Sequence, residues 1–169
     1  MRNPPRLSPA RSIGERHDAV VTDLKQLFND LIRLETELWS AVDARLRAQH
    51  NLPLHKFEPM QVVASTPECR VYDIAGALSL TTGGVSKIVD SIEAAGFCRR
   101  RPNPGDRRSS IIELTPAGRA ILDRATKTFE AELQSRLGSA LSEQALRQFA
   151  STLGFLRVAA SDVDASNAA

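Results

Sequence analysis

Apolar residues recur at spacings of three and four from Val20 through Leu24, Leu27, Phe28, Leu31, Leu34, Leu38 and Val42 to Leu46. That period draws one stripe down one face of a helix over 18–49, with no Pro or Gly to interrupt it. At 1.5 Å per residue such a helix of roughly 30 residues is about 45 Å long. A small monomer does not cover so long a face, so part of the stripe is expected to pack on another chain. Pro53 and Pro59 follow, and Glu58-Pro59-Met60 predicts the start of a second helix with Pro59 in its first turn. Residues 66–70 read as a loop.

The middle of the chain changes rhythm. Val71, Ile74, Ala75 and Leu78 predict a short helix, 79–81 a tight turn, and Val85, Ile88, Val89 and Ile92 a second short helix over 82–95. Two short helices joined by such a turn form a helix-turn-helix over 71–96. Gly96 ends it. Extended runs on either side of a loop rich in Pro, Asn and Gly predict a β-hairpin within 97–114. Thr115-Pro116 is a helix start, with Thr as cap and Pro at the first position. Ile121, Leu122, Ala125, Phe129, Leu133 and Leu137 continue that helix to a break at Gly138. Ser142 caps a last helix carrying Leu146, Phe149, Leu153 and Leu156.

The expected fold is mainly α with a small β-hairpin wing: a winged helix-turn-helix whose N- and C-terminal helices form a dimerisation region. The expected divisions are a flexible arm at 1–17, a dimerisation helix at 18–50 and a winged module at 51–114. C-terminal dimerisation helices at 115–160 and a disordered tail at 161–169 complete the chain. The arm, with three prolines and four arginines, is either a tail without a role or a segment that touches phosphates or a partner subunit.

Charge sharpens this picture through its placement. The chain of 169 residues has 22 Lys plus Arg against 20 Asp plus Glu, a net charge of only +2. Yet Arg99, Arg100, Arg101, Arg107 and Arg108 crowd the hairpin, with Asp106 as the one acid among them. A basic hairpin directly after a helix-turn-helix is placed to meet a DNA backbone or minor groove. On the second helix, Thr82, Gly83, Ser86, Lys87 and Asp90 point outward. The first four gather at the end that enters the major groove in this motif, just after Thr81 in the turn. Hydroxyls and a lysine suit phosphates and base edges. Double-stranded DNA is therefore the expected partner.

These residues resemble the MarR family of transcription regulators. The resemblance rests on Asp73-Ile74-Ala75-Gly76-Ala77-Leu78 and on 85–97. It rests further on Asp106-Arg107-Arg108-Ser109 and on Ile112-Glu113-Leu114-Thr115-Pro116-Ala117-Gly118-Arg119. It implies a triangular homodimer with interlocked terminal helices, a recognition helix in the major groove and a wing arginine in the minor groove. By position, Arg108 is that arginine, Asp106 the acid that braces the wing, and Arg107 a phosphate contact; Arg99 joins them as a DNA-binding candidate. Ser86 and Lys87 match the family's pair on the recognition helix, with Lys87 where arginine is commoner, which weakens a bidentate guanine contact there. The implied function is a sequence-specific repressor on a pseudo-palindromic operator, released by a small aromatic or phenolic ligand. Trp39, Arg45, His50, His55 and Phe57 are the effector-binding candidates, with core packing and surface histidines as the alternative.

Other chemistry finds little support. Cys69 and Cys98 form no C-x-x-C pair, and no metal site or cofactor is expected. Cys98 beside arginines leaves open a thiol-based redox switch, and a winged-helix protein-interaction module is the other alternative. No hydrolase, zinc-protease, P-loop or dinucleotide motif is present, so no enzyme is expected. No stretch has the roughly 18–20 apolar residues of a membrane span, nor does the N-terminus read as a signal peptide. The expected setting is cytoplasmic.

Overall fold

The computed structural model describes residues 23–106 and 108–167. Its elements are α1 (Leu24–His50), α2 (Leu54–Ser65), α3 (Val71–Leu78), α4 (Thr82–Ala94), β1 (Cys98–Pro102), β2 (Ser110–Leu114), α5 (Pro116–Leu133) and α6 (Glu143–Asn167), with a π-helical turn at Gln134–Gly138. This is the mainly helical, winged helix-turn-helix architecture the periodicity predicts. The arm at 1–17 lies outside the described residues. The chain divides into two units, Met1–Glu35 and Thr36–Ala169. Among the described residues no helix is long and apolar enough to cross a membrane.

The first unit, as described, is the first half of α1. Its apolar stripe is solvent-facing: Leu24, Leu27, Phe28, Ile32 and Leu34 are exposed, Phe28 by 63%. The second unit holds the core. Val42 and Leu46 from α1, Phe57 and Met60 from α2, Ile74 from α3, and Val85, Val89 and Ile92 from α4 are buried together. Cys98, Ile112 and Leu114 of the hairpin and Ile121, Leu122 and Ala125 of α5 close the same cluster. The periods read from the sequence thus place α3, α4 and α5 correctly. On α6, Phe155, Leu156 and Val158 remain exposed.

Two boundaries differ from expectation. Helix α2 starts at Leu54, not at Glu58, so Pro59 sits inside the helix. The Asp43 carboxylate on α1 accepts the Leu54 backbone N–H at 2.7 Å. This long-range cap satisfies a helix-start donor that would otherwise lack a partner. The side chain of Pro59 is fully buried, and its packing offsets the lost intrahelical bond. At the other end, α6 runs on to Asn167, past the division at 160.

Candidate nucleic-acid interface

The helix-turn-helix is fixed by caps at each joint. Asp73 accepts the Arg70 backbone N–H at 2.8 Å and its Nε at 3.3 Å, starting α3. The N–H comes first among the causes that hold the Asp73 carboxyl below its ordinary range. Ser79 turns the chain with φ +54. Thr81 then caps α4, its hydroxyl accepting the Gly84 N–H at 3.2 Å. At the far end Gly96 adopts φ +77. Its N–H bonds the Glu93 carbonyl at 2.8 Å and that of Phe97 bonds Ile92 at 3.1 Å, the paired closure of a helix on a left-handed residue.

From that corner the hairpin rises, with Arg99 opposite Glu113, Arg100 opposite Ile112 and Arg101 opposite Ile111. Its arginines are mostly spoken for. Arg99 bonds Glu113 at 3.0 Å. Arg101 bonds Glu113 and reaches Glu68 at 3.5 Å. These contacts, Arg101 first and then Arg99, hold the Glu113 carboxyl below the usual carboxylate range. Arg100 bonds Asp90 at 2.7 Å and also Glu93. The sequence run suggests one acid against five arginines; the fold brings Glu68, Asp90, Glu93 and Glu113 to three of them.

The tip is a self-contained knot. Asn103 Oδ1 accepts the Gly105 N–H at 2.9 Å and its Nδ2 donates to Ser109 Oγ at 2.9 Å. Asp106 accepts the Arg108 N–H at 3.0 Å, a local turn in which a carboxylate replaces a backbone acceptor. Arg108 itself is 98% exposed, with Asp106 3.9 Å from its Nε, a weak pairing in water. Arg107 lies outside the described residues.

Thr81, Thr82, Gly83 and Lys87 are exposed and Ser86 half-buried. A cleft of about 490 Å³ lies between Thr82 and Ser86 of α4 and the wing, lined also by Arg70, Tyr72, Arg100 and Arg108. Arg70 and Tyr72 escaped the sequence reading. The signal was there: with Val71, Ile74 and Ala75 turned inward, the helical period leaves Tyr72 outward, and it is 72% exposed.

The effector candidates scatter. Phe57 is a core residue, its ring 5.1 Å from that of Phe129. Arg45 lies 3.8 Å from Glu132. His50 Nε2 is 2.8 Å from Thr128 Oγ1, which donates onward to Gln49 Oε1 at 2.8 Å, so the ring nitrogen is the donor. These three therefore share one stretch of α5. Trp39 is exposed on α1. His55 is exposed at the start of α2, its pKa lowered by burial and then by Arg47 and Lys56. Cys98 is buried, and burial, followed by the Glu93 charge, pushes its thiol up to about 11. Cys69 is likewise buried and pushed up to about 11, burial first and then Asp73.

A helix-turn-helix with an exposed polar first turn, backed by a hairpin with an exposed arginine at its tip, defines a winged helix-turn-helix protein of the DNA-binding class. The MarR family model matches residues 54–110. The multiple antibiotic resistance protein MarR of Salmonella typhimurium is 25% identical over 108 residues, covering 58% of this chain and 72% of that protein. The transcriptional repressor CouR bound to a 23-mer DNA duplex is 26% identical with a TM-score of 0.73, covering 83% of this chain and 99% of that one. CouR from Rhodococcus jostii bound to p-coumaroyl-CoA is 22% identical with a TM-score of 0.67, over 80% and 92% of the two chains. Residues 54–110 thus carry a MarR-family domain, the class of transcription regulator that these relatives represent.

Proposed function

We propose that the protein is a sequence-specific repressor that binds a pseudo-palindromic operator as a homodimer. The observation that carries this is Arg108, held by Asp106 at the wing tip, unburied, across a cleft from the first turns of α4. Thr81, Thr82, Gly83, Ser86 and Lys87 meet the major groove, Arg108 enters the minor groove, and Arg107 contacts phosphate. Asp106 acts through Arg108, and Arg99 contributes by stapling β1 to β2 through Glu113. The divisions at 18–50 and 115–160 serve as dimerisation helices, supported by the exposed apolar residues of α1 and α6. A small aromatic or phenolic ligand releases the DNA, a reading supported by the ligand-bound state of CouR. It requires that the ligand bind two dimer arrangements unequally.

The test is anisotropy titration of genomically selected duplexes over a salt series. Operator affinity should fall steeply with salt, half-sites should lie about one helical turn apart, and Arg108→Ala, lost from both protomers, should lower the salt slope by about two while leaving the dimer folded. Absence of any salt-dependent DNA association would hand the fold to a protein-interaction role.

A further inference from the structure

Two elements read DNA in this reading, and their separation has to be set by something. Strand alternation sends Arg99 and Arg101 to one face of the hairpin and Arg100 to the other. On its face Arg100 meets α4. One guanidinium nitrogen bonds Asp90 Oδ1 at 2.7 Å and another bonds Glu93 Oε2. The second oxygen of Glu93 accepts the Arg100 backbone N–H at 2.8 Å. Glu93 thus grips both the main chain and the side chain of one wing residue, and Asp90, one turn earlier, fixes the fork from the other side. The Arg100 side chain is only 25% exposed. Of the described wing arginines paired with acids, it alone reaches the recognition helix; the partners of Arg99 and Arg101 are Glu113 and Glu68.

We infer that Arg100 is a positioning residue for DNA recognition: it brackets the wing to the recognition helix through Asp90 and Glu93 and makes no phosphate contact of its own. The planar guanidinium suits this role because its donors are fixed in a fork. The inference rests on the DNA-binding reading above. Its consequence is selective. Losing the bracket loosens the spacing of two contact elements, which a specific operator demands and a random duplex does not.

The experiment compares wild type, Arg100→Met, the triple variant Arg100→Met/Asp90→Asn/Glu93→Gln, and Arg108→Ala on operator and random duplexes over a salt series. Thermal unfolding at one protein concentration confirms that each is folded. The triple variant removes one positive and two negative charges, so it is locally less acidic than wild type. Simple charge balance then predicts equal or tighter binding. The bracket predicts that both Arg100 variants lose operator affinity about tenfold or more while random-duplex affinity is kept, because the supporting shell and not a phosphate contact is lost. It also predicts that the triple variant keeps the wild-type salt slope, whereas Arg108→Ala, changed in both protomers, loses about two units. Wild-type operator affinity in the triple variant would overturn the inference, as would a slope lowered by about two in Arg100→Met, one for each protomer. Operator and random affinities falling in parallel would reduce Arg100 to a fold-stabilising residue. A wild type that binds no DNA sinks the functional reading itself, whereas binding wild type with an indifferent triple variant sinks only the bracket.

Discussion

Gly83 and Gly84 stand side by side in the first turn of α4, yet they answer to different neighbours. A Cβ on Gly84 would lie 3.1 Å from Thr81 Oγ1, the capping oxygen, so the cap explains that glycine. A Cβ on Gly83 would meet nothing within 4 Å, and its backbone is helical. Within the fold, then, Gly83 only weakens the helix, by up to about 0.5–1 kcal/mol relative to alanine. Gly83→Ala should therefore leave chemical-denaturation stability equal or higher while weakening operator binding, since in the proposed interface the missing methyl is space for DNA. Undiminished binding would remove Gly83 from the interface. The second residue-scale expectation concerns Cys98. With its thiol pushed up to about 11 by burial first, it stays protonated at neutral pH, and the thiolate is the reactive form. Peroxide treatment should leave the operator affinity of the wild type unchanged; a loss that Cys98→Ser abolishes would restore the redox alternative. Phe57 shows the limit of reading residues singly. An aromatic beside histidines resembles a ligand contact in sequence, and only packing against Phe129 shows it to be core.

Elements whose starts are written locally were legible. Thr115-Pro116 predicts the start of α5, and the structure adds why that start is immovable. The Thr115 hydroxyl donates to the Gly96 carbonyl at 2.7 Å and accepts the Gly118 N–H at 3.0 Å. Its backbone N–H reaches the Phe97 carbonyl at 3.0 Å. A Cβ on Gly118 would collide with that same Phe97 oxygen. Gly118→Ala should accordingly cost about 1–3 kcal/mol by overpacking against backbone that cannot yield, read as a shifted denaturation midpoint at fixed protein concentration. An unchanged midpoint would mean that α5 sits more loosely than the contact implies. The start of α2 was illegible for the opposite reason: its cap comes from Asp43, on another helix. The same holds for the hairpin charge. Period and loop chemistry revealed the hairpin, but the acids that neutralise its strands lie at Glu68, Asp90, Glu93 and Glu113, outside the run of arginines.

For the whole molecule, the length of the first helix raises the expectation of a partner chain but does not say which residues stay bare. The structure names them: Leu24, Leu27 and Phe28 on α1, and Phe155, Leu156 and Val158 on α6. Covered by a second copy, these faces tie stability to concentration by mass action. The unfolding midpoint should rise as protein concentration is raised. Phe28→Glu with Phe155→Glu should yield a monomer in sedimentation that no longer holds the operator. A concentration-independent midpoint would argue against the obligate dimer.

One short junction has a mechanical meaning. Between the last residue of β2, Leu114, and the first of α5, Pro116, stands only Thr115, pinned by the contacts just described. There is no slack. A tilt at the α5 end near Phe129 and Glu132 is geared straight into the hairpin, as the handle of a key turns its bit. In the proposed regulator, a molecule of modest size wedged against that helix would need no relay of side chains to shift the wing tip that carries Arg108.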